Sequence, residues 1–129
     1  MTTDLTCLII LALWGLVLNH GPAIGRVKTA GLDWALSNRE KLVEAEPWVG
    51  RADRAQRNHH DNLAMIAVVI LAAQVAGQAD SVTAIASIVL VTARILHGVT
   101  YVAGIPTARS GAYFIALLAL LVIVWRIFT

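Results

Sequence analysis

The stretch VTAIASIVLVTARILHGVTYV, running from Val82 to Val102, decides the architecture. It is a mostly apolar stretch of the length, roughly 20 residues, with which an α-helix crosses about 30 Å of hydrocarbon. Ala, Ile, Leu and Val follow one another without the alternation that a membrane-barrel strand requires, so a helix is expected. Yet the stretch also carries Arg94, His97 and Tyr101. Counted from Ser81 at 1.5 Å per residue, Arg94 lies about 20 Å along the helix, short of the far boundary. An arginine at mid-bilayer costs roughly 2.5–3.5 kcal/mol on insertion scales, and such residues usually face a bundle interior or a wet cavity. The spacing i, i+3, i+7 puts the three polar groups on one stripe. Snorkelling of Arg94, with Tyr101 as an interface residue, would be the simpler explanation. Three polar groups on one face of an apolar helix favour a site.

Working outward, three further apolar stretches stand out: Leu5 to Ile24, Leu63 to Gln78 and Gly111 to Phe128. With 58% hydrophobic and only 14% charged residues in 129, the chain is too apolar for a soluble domain and leaves no room for a separate catalytic module. The expectation is a single all-α integral membrane domain over residues 1–129, a four-transmembrane-helix bundle with spans near 5–24, 50–78, 81–102 and 110–128. The second span can begin upstream of Leu63 as a helix projecting from the bilayer. The first is read as retained and not as a signal peptide, because Met1 to Asp4 holds no basic residue and no small-residue cleavage pattern follows. Gly21-Pro22 reads as its stop. The mixed-charge connection from Gly25 to Glu46 has enough amphipathic character for an interfacial helix, and Pro47-Trp48 fits a helix start.

Charge placement gives orientation. Of ten Lys and Arg, seven lie between Gly25 and Asn62, Arg94 and Arg109 lie towards or in the third connection, and only Arg126 belongs to the opposite side. The positive-inside rule then makes the 25–50 and 103–109 connections cytoplasmic and leaves both termini outside. A net charge of +2 does not point to nucleic acid. A single cysteine, Cys7, excludes an internal disulfide, and no metal site is expected: His59 and His60 point about 100° apart on a helix and no second ligand cluster accompanies them.

Two more polar groups share the cytoplasmic end. In RADRAQRNHHDN, Arg51 to Asn62, the residues Arg54, Asn58 and Asp61 fall at i, i+4 and i+7, with Arg57 positioned as i−4 to Asp61. A solvated helix end with an Arg57–Asp61 ion pair would account for this segment alone. Arg109, Ser110 and Tyr113 open the last span after the Gly104-Ile-Pro106 turn. Arginines can fork onto carboxylates or phosphates, Asp61 can accept an ammonium, and Tyr and Ser hydroxyls can donate to a developing anion. An amphoteric ligand with more than one carboxylate fits this set. A lipophilic partner would arrive through the bilayer, along the apolar flanks.

The motifs Arg54-Ala-Gln-Arg57-Asn58-x-x-Asp61, Arg94-x-x-His97-x-x-x-Tyr101 and Arg109-Ser110-x-x-Tyr113, in this order, resemble those of the MAPEG family, the membrane-associated proteins of eicosanoid and glutathione metabolism. The resemblance runs from about Pro47 onward and is nearest to the bacterial branch, which implies a bacterial inner membrane. It implies a homotrimer of four-helix subunits with glutathione, as co-substrate, bound between neighbours near the cytoplasmic side. It further implies that Arg54, Arg57, Asn58, Asp61, Arg94, His97 and Tyr101 line or support the glutathione pocket. Arg109 would stabilise the thiolate, with Ser110 and Tyr113 nearby. Asp61 departs from the family, which usually has Glu there, so one methylene of reach is lost. The implied activity is a membrane glutathione transferase acting on lipophilic electrophiles, with peroxidase activity on lipid hydroperoxides as an extension. The alternative is a non-catalytic trimer that binds a lipid or a small anion.

Overall fold

The computed structural model describes all residues from Met1 to Thr129 and contains only helices: α1 (Thr3–Ala30), α2 (Leu32–Leu36), α3 (Pro47–Val75), α4 (Ser81–Ala103) and α5 (Pro106–Ile127). Helices α1, α4 and α5 are each long and apolar enough to cross a membrane, as in an integral membrane protein. Helix α3 is as long but does not meet that test of composition, because its first half carries Arg51, Asp53, Arg54, Arg57 and Asp61.

The buried positions of α1 are Asp4, Cys7, Leu11, Gly15, Leu18, Pro22 and Gly25, a stripe that repeats every three or four residues. The expected stop at Gly21-Pro22 does not occur. Pro22 lies inside the helix, which continues to Ala30 and ends where Gly31 takes a positive φ and its N–H bonds the Val27 carbonyl at 2.8 Å. A proline removes one backbone bond and is tolerated in apolar helices where packing restores the geometry. Here its ring is buried on the stripe. The segment from Gly25 to Glu46, where an interfacial helix is expected, holds the end of α1 and the five-residue, exposed α2.

Helix α3 begins with Pro47 in its first turn, and the Trp48 indole donates to Glu46 at 2.9 Å. It ends earlier than the 50–78 span expected, because Gly77 adopts φ +70° and the Gln78 N–H closes onto the Ala73 carbonyl at 2.9 Å. Asp80 then caps α4, accepting from the N–H groups of Val82 and Thr83 at 2.9 and 3.2 Å. Arg126, in the last turn of α5, donates to the other Asp80 oxygen at 2.8 Å and ties the end of α5 to the α3–α4 turn. At the opposite end Gly104 is left-handed, φ +78°, and Pro106 starts α5 after Ile105 as N-cap. That short turn folds α5 back along α4, the most extensively packed pair.

Helix α4 also packs on α1 and α3, and α5 on α3, while α1 and α5 do not meet. The four long helices thus form a rhombus with α3 and α4 across its short diagonal. Leu11, Ile66, Ile70, Leu90 and Ile123 fill its apolar half. Close approach depends on two glycines. A Cβ at Gly98 would lie 2.9 Å from the Trp14 ring, and one at Gly25 would lie 2.6 Å from Val49. Outside, Leu13, Leu16, Ile85, Val68, Leu118 and Leu121 are exposed, the inverse of a soluble protein's surface.

Candidate functional site

Where α3 begins, α4 ends and α5 starts, the polar residues gather. The ion pair of Arg26 with Asp53 joins α1 to α3 there. Gln56 donates to Asn19 at 2.9 Å, and the buried ring of His59 bonds the Leu11 carbonyl at 3.0 Å. These contacts position α3 so that its next turn faces α4.

Arg94 is 2% exposed and lies in the α3–α4 contact. Its guanidinium donates to the Asn58 side-chain oxygen at 3.1 Å and to the Asn58 carbonyl at 3.3 Å, and its Nε has no partner. The chain's two ion pairs are Arg26–Asp53 and Arg126–Asp80, so the buried guanidinium has no counter-charge. Burying an uncompensated cation is costly, and the position favours an incoming anion. Arg94 borders a narrow notch with Asn62 and Tyr113.

From Tyr113 a run of rings leads outward. His97, 4% exposed, has its ring centroid 6.2 Å from that of Tyr113 and 5.5 Å from that of Tyr101, the latter edge-on. The Arg109 guanidinium sits 4.8 Å over the Tyr101 ring, a cation–π contact that holds the charge at the rim. There a cleft of about 200 Å³ opens, lined by Arg51, Arg54, Tyr101, Gly104, Pro106 and Arg109 and by no acidic residue. Such a cleft attracts anions and can stabilise one that forms within it.

Of the residues singled out in the sequence, Arg54, Tyr101 and Arg109 meet in the cleft, and Asn58, Arg94, His97 and Tyr113 form the polar layer beneath it. Arg57, Asp61 and Ser110 are exposed on the outer surface and do not line the cleft. The Arg57–Asp61 ion pair expected from spacing is absent. Sequence reasoning had not placed Arg51 in the site. It lines the cleft and its Nε donates to the Val102 carbonyl at 2.7 Å, against left-handed Gly104. Its position one turn before Arg54 was the available signal.

With this geometry in place, comparison with known families gives a whole-chain result: the chain belongs to the MAPEG family, whose model matches residues 5–129. The match takes in α1, which carries none of the three motifs. The family is one of membrane proteins linked to glutathione and eicosanoid metabolism, and its members generally use glutathione. No curated protein matches the chain as a relative.

Proposed function

We propose that this protein is a glutathione-dependent membrane transferase that joins the glutathione thiol to lipophilic electrophiles and extends to lipid hydroperoxides. The observation that carries the reading is the three-arginine cleft over the buried, uncompensated Arg94. Glutathione brings two carboxylates, one ammonium and one thiol. Arg51 and Arg54 suit the carboxylates, and Arg109, fixed over Tyr101, is the cation available to a thiolate. A thiol with an ordinary pKa of about 8.5 is mostly protonated at neutral pH, and an adjacent guanidinium favours the anion. The thiolate then attacks the electrophilic carbon, the carbon–sulfur bond forms as the leaving group departs with its electron pair, and the thiol proton goes to solvent.

The working unit in this reading is a homotrimer with α3 as a fourth span. Exposed Arg57, Asp61 and Ser110 then become the residues that a neighbouring subunit covers, and Asp61 the acid offered to the ligand's ammonium. Both termini lie outside and the arginine end faces the cytoplasm, as the basic residues are distributed. The test is single-turnover conjugation of glutathione to a lipophilic aryl halide. Arg109→Ala should slow the chemical step by roughly a hundredfold, the order lost with one stabilising donor. Equal rates for the two proteins would remove Arg109 from the chemistry.

A further inference from the structure

His59 is fully buried, yet the proposed chemistry does not use it. Its Nε2 lies 3.0 Å from the Leu11 carbonyl of α1. A carbonyl only accepts, so Nε2 carries the ring proton and donates. Inside a helix a carbonyl is ordinarily screened from the side, because the side chain four residues further on leans back over it. Here that residue is Gly15, which leaves the Leu11 oxygen open to a ring from α3. A Cβ at Gly15 would already touch the Cδ2 and Nε2 of His59 at 3.4 Å. The ring thus occupies a notch that the missing side chain cuts into α1, with one hydrogen bond at its floor.

The residue before it addresses a different helix. Successive helical residues point about 100° apart, so Asn58 meets Arg94 of α4 while His59 meets α1. Both hydrogen bonds of the Arg94 guanidinium go to Asn58, one to its side-chain oxygen and one to its carbonyl. Arg94 Nε has no partner and neither ion pair includes Arg94, so α3 alone sets where this cation points. The other polar ties between α1 and α3, Arg26 to Asp53 and Gln56 to Asn19, are partly or wholly exposed. The buried tie is His59, directly beside Asn58.

We propose that His59 is a positioning residue for glutathione binding: seated in the Gly15 notch, it fixes the rotation of α3 that turns both oxygens of Asn58 towards Arg94. It acts on the bound anion only through Arg94, which links α1 to a site that α1 does not line. The inference rests on the reading of Arg94 as a cation that favours glutathione.

The test is a double-mutant cycle on the full-length protein in detergent, with glutathione affinity read by titration calorimetry. His59→Phe keeps a ring of similar size and removes the bond to Leu11. It should weaken glutathione binding about tenfold, inside the hundredfold that a misplacement of about 1 Å can cost. His59→Gln, whose amide N–H can donate to the Leu11 carbonyl, should restore most of that loss. In an Arg94→Leu background His59→Phe should change the affinity by less than about twofold, because the two residues act as one unit. Gly15→Val reaches the same ring from α1 and should give the same loss with the same dependence on Arg94, which keeps the test open where His59→Phe fails to fold. Unchanged affinity in His59→Phe would overturn the proposal. So would an equal loss with and without Arg94, the mark of a merely structural role. Wild type that does not bind glutathione would overturn the transferase reading and this inference with it, whereas a wild type that binds and an additive cycle would overturn this inference alone.

Discussion

At the scale of single residues, Arg94 governs the polar interior. It is buried, its hydrogen bonds go to a neutral partner, and no carboxylate offsets its charge. A buried cation without a counter-charge costs free energy, and an apolar side chain of similar size removes that cost. Arg94→Leu is therefore expected to leave thermal stability without ligand within about 1 kcal/mol of wild type. Glutathione affinity, read by titration calorimetry, should fall at least tenfold, since a hydrogen bond to a charged group is worth about 1.5–3 kcal/mol. Asp61 offers a second comparison. It is exposed and one methylene shorter than the glutamate usual in the family, so Asp61→Glu should keep or raise glutathione affinity in the same titration. The pattern Arg94-x-x-His97-x-x-x-Tyr101 was legible because polar residues in an apolar helix require a reason. The cleft's third cation, Arg51, was not, because one arginine in a basic segment is indistinguishable from a topology anchor until Gly104 turns beside it.

At the scale of elements, the three prolines differ in how far the sequence reveals their role. Pro47 begins α3 as its ring geometry dictates. Helix α5 begins at Pro106, four residues ahead of the 110–128 span expected, because Pro106 occupies the first helical turn and does not close the Gly104 turn, so Arg109 and Ser110 lie on the helix and not in the connection. Pro22 reads as a stop in the sequence, yet its tolerance depends on a buried stripe that only packing reveals. Packing also explains Gly98, whose α-hydrogen faces the Trp14 ring. Gly98→Leu should destabilise the protein by roughly 1–3 kcal/mol, the usual cost of overpacking, measured as a lower unfolding temperature in detergent. At the far end, the Asp80 cap is a pH-sensitive clasp. The Arg126 guanidinium first, and the Thr83 and Val82 N–H groups after it, hold the Asp80 carboxyl below its ordinary range. Its contribution is therefore complete above the unfolded value of about 3.9 and is lost as pH falls through the lower folded value. Stability of the wild type should decline below about pH 4 through this cap, and Asp80→Asn should remove that part of the acid limb in unfolding curves recorded across pH.

At the scale of the whole molecule, composition made the chain a helical membrane protein, and three of its helices have the length and apolarity to cross a bilayer. The fourth long helix, α3, departs from that composition in its first half, which faces α1 and α4 with Asp53, Gln56, Asn58 and His59 and joins them through polar contacts. The cleft itself was not readable from periodicity, because it depends on the rhombic packing that brings the N-terminus of α5 beside that of α3. The most direct measurement of the central claim is a glutathione titration of the detergent-solubilised protein followed by thermal unfolding. At a hundred times the dissociation constant, wild type should gain about 2.7 kcal/mol, with Arg54→Ala and Arg109→Ala requiring more glutathione for the same gain. An unfolding temperature that glutathione leaves unchanged in wild type, or raises equally in both variants, would contradict the account.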